Sequence, residues 1–282
     1  MKRKVRSPVV WVGGKSRLLD WLLPLLDVPA RVYVEPFGGS AAVLLNRPRA
    51  AVEVYNDADG QLVNLLRCVA QHPQELKRLI EQTPYARQVY DEELAWLKRG
   101  GPGSMTDLQR AARWWWLCLA SFSGSLGCGF GTAATETQTA YVHRRIAVID
   151  EASARLRDVL IERADFRVIL ERYDTPETLF YCDPPYVGHE DAYDKLGPCF
   201  TEADHRDLAA LLGAVQGRVA LSYYPCDLVD ELYPPRGTRG WRRETKAWVS
   251  TLSNPRAAPG ADYQRTELLL LNYDPPSQGT LF

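Results

Sequence analysis

The apolar run Leu179-Phe180-Tyr181-Cys182 ends in Asp183-Pro184-Pro185-Tyr186. A buried strand leading into an acid, two prolines and an aromatic ring is an unusual combination. Proline lacks an N–H and fixes φ, so the chain leaves the sheet stiffly and its carbonyls remain free to accept. The result is a ledge carrying a carboxylate, an outward carbonyl and a flat ring. Such a ledge suits an exocyclic amino group on a planar heterocycle: the acceptors take its two N–H protons and the ring stacks on its face. A plain tight turn is the competing reading, since proline-rich turns are common.

Three other stretches carry groups that could work beside it. Glu35-Pro36-Phe37-Gly38-Gly39-Ser40-Ala41 follows one apolar run and opens a helix, and its glycines permit close backbone approach. It matches neither the dinucleotide fingerprint nor a phosphate-binding P-loop, and many such turns merely connect. Asn56-Asp57 follows a second apolar run. An acid there commonly accepts from ribose hydroxyls, although capping of the next helix would explain it equally well. Trp11-Val12-Gly13-Gly14-Lys15 sets a ring and a cation around two glycines, or simply caps a loop.

These stretches need a scaffold. Apolar runs alternating with helical patterns predict an α/β fold. Strands are expected at Arg31–Glu35, Ala50–Tyr55, Phe166–Leu170, Thr178–Cys182, Arg218–Ser222 and Glu267–Asn272. Helices are expected at Ser16–Leu26, Ala41–Asn46, Gln61–Gln71 and, after the cap-like Thr201, Glu202–Leu212. Residues 72–157 break this rhythm with helical periodicity, the apolar helix Leu108–Leu119 around Trp114-Trp115-Trp116, a Gly/Ser/Thr-rich segment Ser121–Thr139, and a last helix through Val142–Leu160. The reading is a mostly helical insert (72–157) between two parts of one catalytic domain (1–71 and 158–282). The three tryptophans read as core.

The 282 residues allow a sizeable core in one or two domains, and the net charge of −1 provides no global basic field. A nucleic-acid partner would have to meet local patches. The best are Arg236, Arg239, Arg242, Arg243 and Lys246 around Trp241, and His143-Arg144-Arg145. A solvated loop is the bland alternative for any one of these arginines. The six cysteines are scattered without a C-x-x-C pair and the four histidines form no ligand pattern, so no metal is expected. This usage fits a reducing cytoplasm. Neither a signal peptide nor a membrane-spanning run is evident.

W-x-G-G-K, E-P-F-x-G-S, N-D, the A-D-F of Ala164–Phe166 and D-P-P-Y occur in that order. The chain resembles the Dam-type (D12 class) adenine-specific DNA methyltransferases in their alpha arrangement, over nearly its whole length. The resemblance includes Phe200-Thr201 and the late run Arg265-Thr266-Glu267 into Leu268–Tyr273. It implies a Rossmann-like S-adenosylmethionine-dependent fold, a target-recognition insert, and methyl transfer to N6 of adenine in DNA. Trp11 and Lys15 would flank the cofactor. The Phe37–Ala41 turn, Gly39 included, would lie under its methionine part. Asp57 would take its ribose, Asp165 and Phe166 would lie at its adenine ring, and Asp183 would sit between cofactor and base. Asp183 and Pro184 would accept from N6, and Tyr186 would stack on a flipped base. Double-stranded DNA is the implied partner, with Arg144, Arg145, Arg239, Arg242 and Arg243 as contacts. The resemblance leaves room for a restriction endonuclease partner, and composition suggests a monomer by default.

One departure matters. The family's loop usually reads F-x-G-x-G, and here the last position is Ala41. Alanine is tolerable at negative φ and costs most at positive φ, so cofactor binding is expected to survive in weakened form. Rival readings are methylation of RNA or of cytosine N4, and a non-catalytic binder. N4-cytosine ledges usually begin with Ser and many RNA or protein amide ledges with Asn, so Asp183 favours adenine. A pure binder would be expected to have lost Asp183 or Asp57.

Overall fold

The structure is a computed structural model, describing residues 4–9, 14–101, 103, 105–122, 129–132, 138–188, 200–235, 240–249 and 264–276. Its strands are β1 (Val32–Glu35), β2 (Val52–Asn56), β3 (Leu160–Glu162), β4 (Thr178–Cys182), β5 (Arg218–Tyr223), β6 (Arg242–Val249) and β7 (Gln264–Leu271). They form a seven-stranded sheet in the order β3-β2-β1-β4-β5-β7-β6. β1 pairs with β4 and β4 with β5 in parallel, while β7 is antiparallel to both β5 and β6. This is a Rossmann-like α/β fold.

The chain divides into two compact units. The first comprises Met1–Leu23, Gly38–Pro48 and Tyr55–Arg163; the second comprises Pro24–Phe37, Arg49–Val54 and Ala164–Phe282. Helix α1 (Leu19–Leu25) precedes β1; in the first unit, α2 (Ala42–Asn46) is followed by α3 (Gly60–Gln71), α4 (Pro73–Glu81), α5 (Arg87–Lys98), α6 (Asp107–Ala120), α7 (Gln138–Ile146) and α8 (Ile149–Leu156). Thr106 and Gln109 close a reciprocal cap at the start of α6, which fixes where the tryptophan helix begins. Trp114, Trp115 and Trp116 are at most 1 % exposed, so they are core, and the Trp115 indole donates to the Pro8 carbonyl at 3.0 Å. That bond satisfies the polar handle of a buried ring.

In the second unit, β4 is buried at every position, as a central parallel strand covered on both faces must be. Its Phe180 shares a core with Val34, Val219, Leu221, Leu268 and Leu270. The helices of this unit include α9 (Phe166–Tyr173), α10 (Glu202–Ala214) and α11 (Asp227–Leu232). The order of strands reverses between β1 and β4, and open α/β sheets bind ligands beyond the carboxyl ends of their strands at such a point. The register Val32↔Thr178 to Val34↔Phe180 brings those two ends side by side.

Several local expectations are corrected. Phe166–Leu170 is not a strand but the start of α9. Asp165 caps it by accepting from the Arg167 N–H, and Phe166, Ile169 and Leu170 recur at helical spacing on its buried face. The expected helix Val142–Leu160 breaks into α7 and α8 and ends at Leu156, after which Leu160–Glu162 forms β3. β6 was not expected as a strand, because an edge strand that carries Arg242, Arg243, Glu244 and Lys246 lacks the apolar alternation of a covered one.

Candidate active site

In the first unit the Gly-rich turn is tied to the end of β2. Gly38 N–H donates to the Asn56 carbonyl at 2.7 Å, Gly39 N–H to the Asp57 carboxylate at 2.9 Å, and the Tyr55 hydroxyl to the Gly39 carbonyl at 2.8 Å. Gly38 is required sterically: a Cβ there would lie 2.1 Å from the Tyr55 ring. Gly39 has φ 49°, and Ala41 has φ 56° with ψ 22°, so the alanine occupies the left-handed conformation that glycine accepts without cost.

Asp57 is half-buried and does not cap the following helix. That task falls to Asp59, which accepts from the Gln61 and Leu62 N–H groups. Asp57 instead accepts from Gly39 on one oxygen and from Asp59 on the other, at 2.9 Å each. Burial pushes its carboxyl up to about 6 against the pull of those N–H donors. An ionised carboxylate offers about four lone-pair sites, so acceptor capacity remains for a hydroxyl-bearing ligand. This spare acceptor capacity fits the hydroxyls of a ribose in a nucleoside cofactor. Lys15 opens a short 3-10 turn and is 6 % exposed. Trp11 lies outside the described residues.

In the second unit, Asp183 is half-buried and Pro184 buried at the carboxyl end of β4. Tyr186 is 8 % exposed, and its hydroxyl donates to Glu267 of β7, itself 1 % exposed. The Tyr186 ring meets Tyr224 edge-on with centroids 4.5 Å apart and Tyr223 at 5.6 Å. Burial, with the nearby Asp183 and Glu267 carboxylates, holds the Tyr186 hydroxyl well above its ordinary range, so it stays a donor. Tyr181 shares a hydrogen bond with Ser222 at 3.2 Å beneath the ledge.

Phe37, Phe166 and Phe200 form a mutual aromatic cluster, with centroids 5.3 to 5.8 Å apart. The Arg167 guanidinium lies 4.4 Å from the Phe166 centroid and pairs with Asp165, Asp204 and Asp207. Asp165, expected near a cofactor ring, is exposed and accepts from the Arg167 N–H as the α9 cap.

The basic candidates differ from one another. Arg145 donates to the Ser7 and Pro8 carbonyls at 2.9 and 3.0 Å, while Arg144 is exposed. Arg242 pairs with Glu244 and Asp274, and Arg243 with Asp230 and the Tyr233 carbonyl. Trp241 is buried against Tyr233 rather than presented with them. Arg236 and Arg239 lie outside the described residues, as does most of Ser121–Thr139. Glu267, Tyr55 and the Tyr223–Tyr224 pair escaped the sequence reading as site residues, because each looks like ordinary strand content. A lone acid at the start of the apolar run Leu268–Leu271 was the available signal. Among the described residues no cluster of His, Cys, Asp and Glu could hold a metal.

Comparison with known proteins bears on the whole arrangement. The description of the D12 class N6 adenine-specific DNA methyltransferases matches residues 11–244. The Type II methyltransferase M1.LlaDCHI of Lactococcus lactis subsp. cremoris is 23 % identical over 79 % of this chain and 86 % of its own. The Type II methyltransferase M.CviBI of Paramecium bursaria Chlorella virus NC1A is 24 % identical, with 80 % and 86 % covered. The Retron Ec67 DNA adenine methylase of Escherichia coli is 24 % identical over 72 % and 70 %. That family description spans residues 11–244, most of the 282-residue chain, and the chain belongs to the D12 class N6 adenine-specific DNA methyltransferase family.

Proposed function

We propose that this adenine-specific DNA methyltransferase works on a flipped-out adenine held by the ledge at Asp183, with S-adenosylmethionine as donor. The bound cofactor supplies an electrophilic sulfonium methyl. The N6 lone pair is delocalised into the purine and is a poor nucleophile. The Asp183 carboxylate and Pro184 carbonyl would accept hydrogen bonds from the two N6–H groups, which favours a tetrahedral nitrogen and stabilises the positive charge that develops on attack; one N6 proton is lost only after the nitrogen has gained its methyl. Because Pro184 and Pro185 stiffen the backbone, these acceptors are pre-positioned, and positioning supplies much of the rate. The observation that carries this reading is the place of Asp183 at the carboxyl end of β4, beside the end of β1 where strand order reverses. Tyr186 is the stacking face. With 8 % of it exposed, part of its cover must shift when DNA binds.

On the cofactor side, Asp57 would accept from the ribose hydroxyls, Gly39 and its turn would face the methionine part, and Phe166 and Phe37 would offer apolar contact. Asp165, Lys15 and Trp11 are assigned to the same cofactor from the motif order. Residues 72–157 are proposed as the target-recognition insert. Arg144, Arg239, Arg242 and Arg243 are the proposed DNA contacts, although the acids now paired with Arg242 and Arg243 would have to yield to phosphate; Arg145, expected beside them, is assigned instead to holding the Ser7 and Pro8 carbonyls. Among the described residues no helix is long and apolar enough to cross a membrane. A cytoplasmic monomer, with or without a restriction endonuclease partner, completes the proposal.

Labelled methyl transfer to mixed-sequence duplex DNA, followed by nucleoside analysis, tests it. N6-methyladenine that disappears with Asp183→Ala is the expected result. Undiminished labelling by that variant would remove Asp183 from the chemistry.

A further inference from the structure

Glu267 is a carboxylate 1 % exposed at the heart of a strand, a position that costs stability unless the group is well partnered. It accepts the hydroxyl of Tyr186. β7 carries it there: Leu268 and Leu270 join the core on one face, so by strand alternation Glu267 and Arg265 point to the other. Arg265 lies over the Tyr224 ring at 5.3 Å, and Tyr224 meets Tyr186 edge-on at 4.5 Å. One strand therefore grips the Tyr186 ring twice, at its hydroxyl directly and at its flank through Tyr224.

We infer that Glu267 is a positioning residue for the methyl transfer, holding the Tyr186 ring, on which the target adenine stacks, against swinging away from the base. The inference rests on the reading of Tyr186 as the stacking face. A tyrosine ring held only by packing can swing about its Cα–Cβ bond, and a base resting on it swings with it. A misplacement of the order of 1 Å costs about a hundredfold in rate. Anchoring the far end of the ring removes that freedom before the base arrives. Glu267 acts through its acceptor oxygen and not through its charge, so an amide at the same place does the same work.

The test is steady-state methylation of DNA from a host lacking adenine methylation, with kcat and both KM values measured for wild type, Glu267→Gln, Glu267→Ala, Tyr186→Phe, Tyr186→Ala and the Glu267→Ala/Tyr186→Phe double variant. Circular dichroism establishes that each is folded. Glu267→Gln should keep more than half of kcat. Glu267→Ala and Tyr186→Phe should each lose about tenfold to a hundredfold in kcat, with KM for the donor unchanged. The double variant should be no slower than the slower single, because both remove one interaction. Should Glu267→Ala fail to fold, Tyr186→Phe and Glu267→Gln still decide. Wild-type kcat in Tyr186→Phe or a folded Glu267→Ala, additive losses in the double, or a loss in Glu267→Gln as large as in Tyr186→Phe would each overturn the inference. Tyr186→Ala separates the two levels. If it is inactive while Tyr186→Phe is not, the stacking reading survives and the role of Glu267 falls; if it is fully active, the stacking reading itself falls.

Discussion

The Gly39 N–H donates to the Asp57 carboxylate at 2.9 Å, so the acid that is to receive a ribose also braces the glycine turn. One side chain thus sets both halves of the proposed donor site. Asp57→Ala is expected to raise the dissociation constant for S-adenosylmethionine at least tenfold, measured by calorimetry, through lost contacts and a loosened turn. An unchanged constant would exclude Asp57 from cofactor binding.

The same carboxyl makes binding pH-dependent. Its folded value stands at about 6, above the ordinary 3.8, so its contribution to stability is full below 3.8 and is lost as pH rises through about 6. Ribose hydroxyls donate to the ionised form. Cofactor affinity should therefore rise as pH climbs toward about 6, with a proton released on binding below that value, and level off above it. Asp57→Asn should flatten the profile, which titrations in buffers of different ionisation heat would reveal.

Ala41 presents a test of backbone strain. The left-handed conformation costs a non-glycine residue roughly 1–2 kcal/mol, while its buried methyl returns about 0.8 kcal/mol. Ala41→Gly should accordingly stabilise by no more than about 1 kcal/mol and tighten cofactor binding slightly. Ala41→Val, β-branched at φ 56° in a fully buried position, should destabilise by more than about 2 kcal/mol. Denaturant midpoints of the two variants should move in opposite directions.

Asp183→Ala should lower kcat by about a hundredfold to a thousandfold, the cost of removing one pre-positioned charge-stabilising group. Thermal unfolding should change little, because Asp183 is only half-buried. Single-turnover rates with saturating DNA and donor measure the effect; retention of wild-type rate would return the ledge to a mere turn.

Arg144 and Arg145 are neighbours with different expected phenotypes. Arg145 spends its guanidinium on the Ser7 and Pro8 carbonyls, so Arg145→Ala should lower stability by about 1–3 kcal/mol as those groups lose partners. Exposed Arg144 should act mainly on DNA: Arg144→Ala should reduce the salt slope of binding by about 0.9, with a smaller shift of the unfolding midpoint than Arg145→Ala. The reverse pattern would exchange their roles.

Whatever depended on local pattern was legible in the sequence. The wholly apolar run before Asp183 is β4 at its expected bounds, and Thr201 caps α10 where its spacing indicated. Errors arose where two structures share one pattern. Phe166–Leu170 is short and apolar, and only the capping geometry of Asp165 decides for helix. β6 is hidden because its neighbour on one side is solvent. The sign of φ at Ala41 cannot be read from an alanine; the family's glycine was the clue, and the positive value shows why glycine is usual there. Glu267 stood out only as a lone acid before an apolar run, and its partner, 81 positions away, could not be read from the sequence.

β7 lies between β5 and β6, although β6 is made first. During synthesis β6 has no sheet to join until β7 has emerged and paired with β5, and until then the hydroxyl of Tyr186 has no Glu267 to receive it. Such long-range closure comes late. On the proposal that Glu267 positions Tyr186, the nascent chain can assemble its parallel strands while the ledge is still incomplete, so competence for methyl transfer should be acquired late in folding.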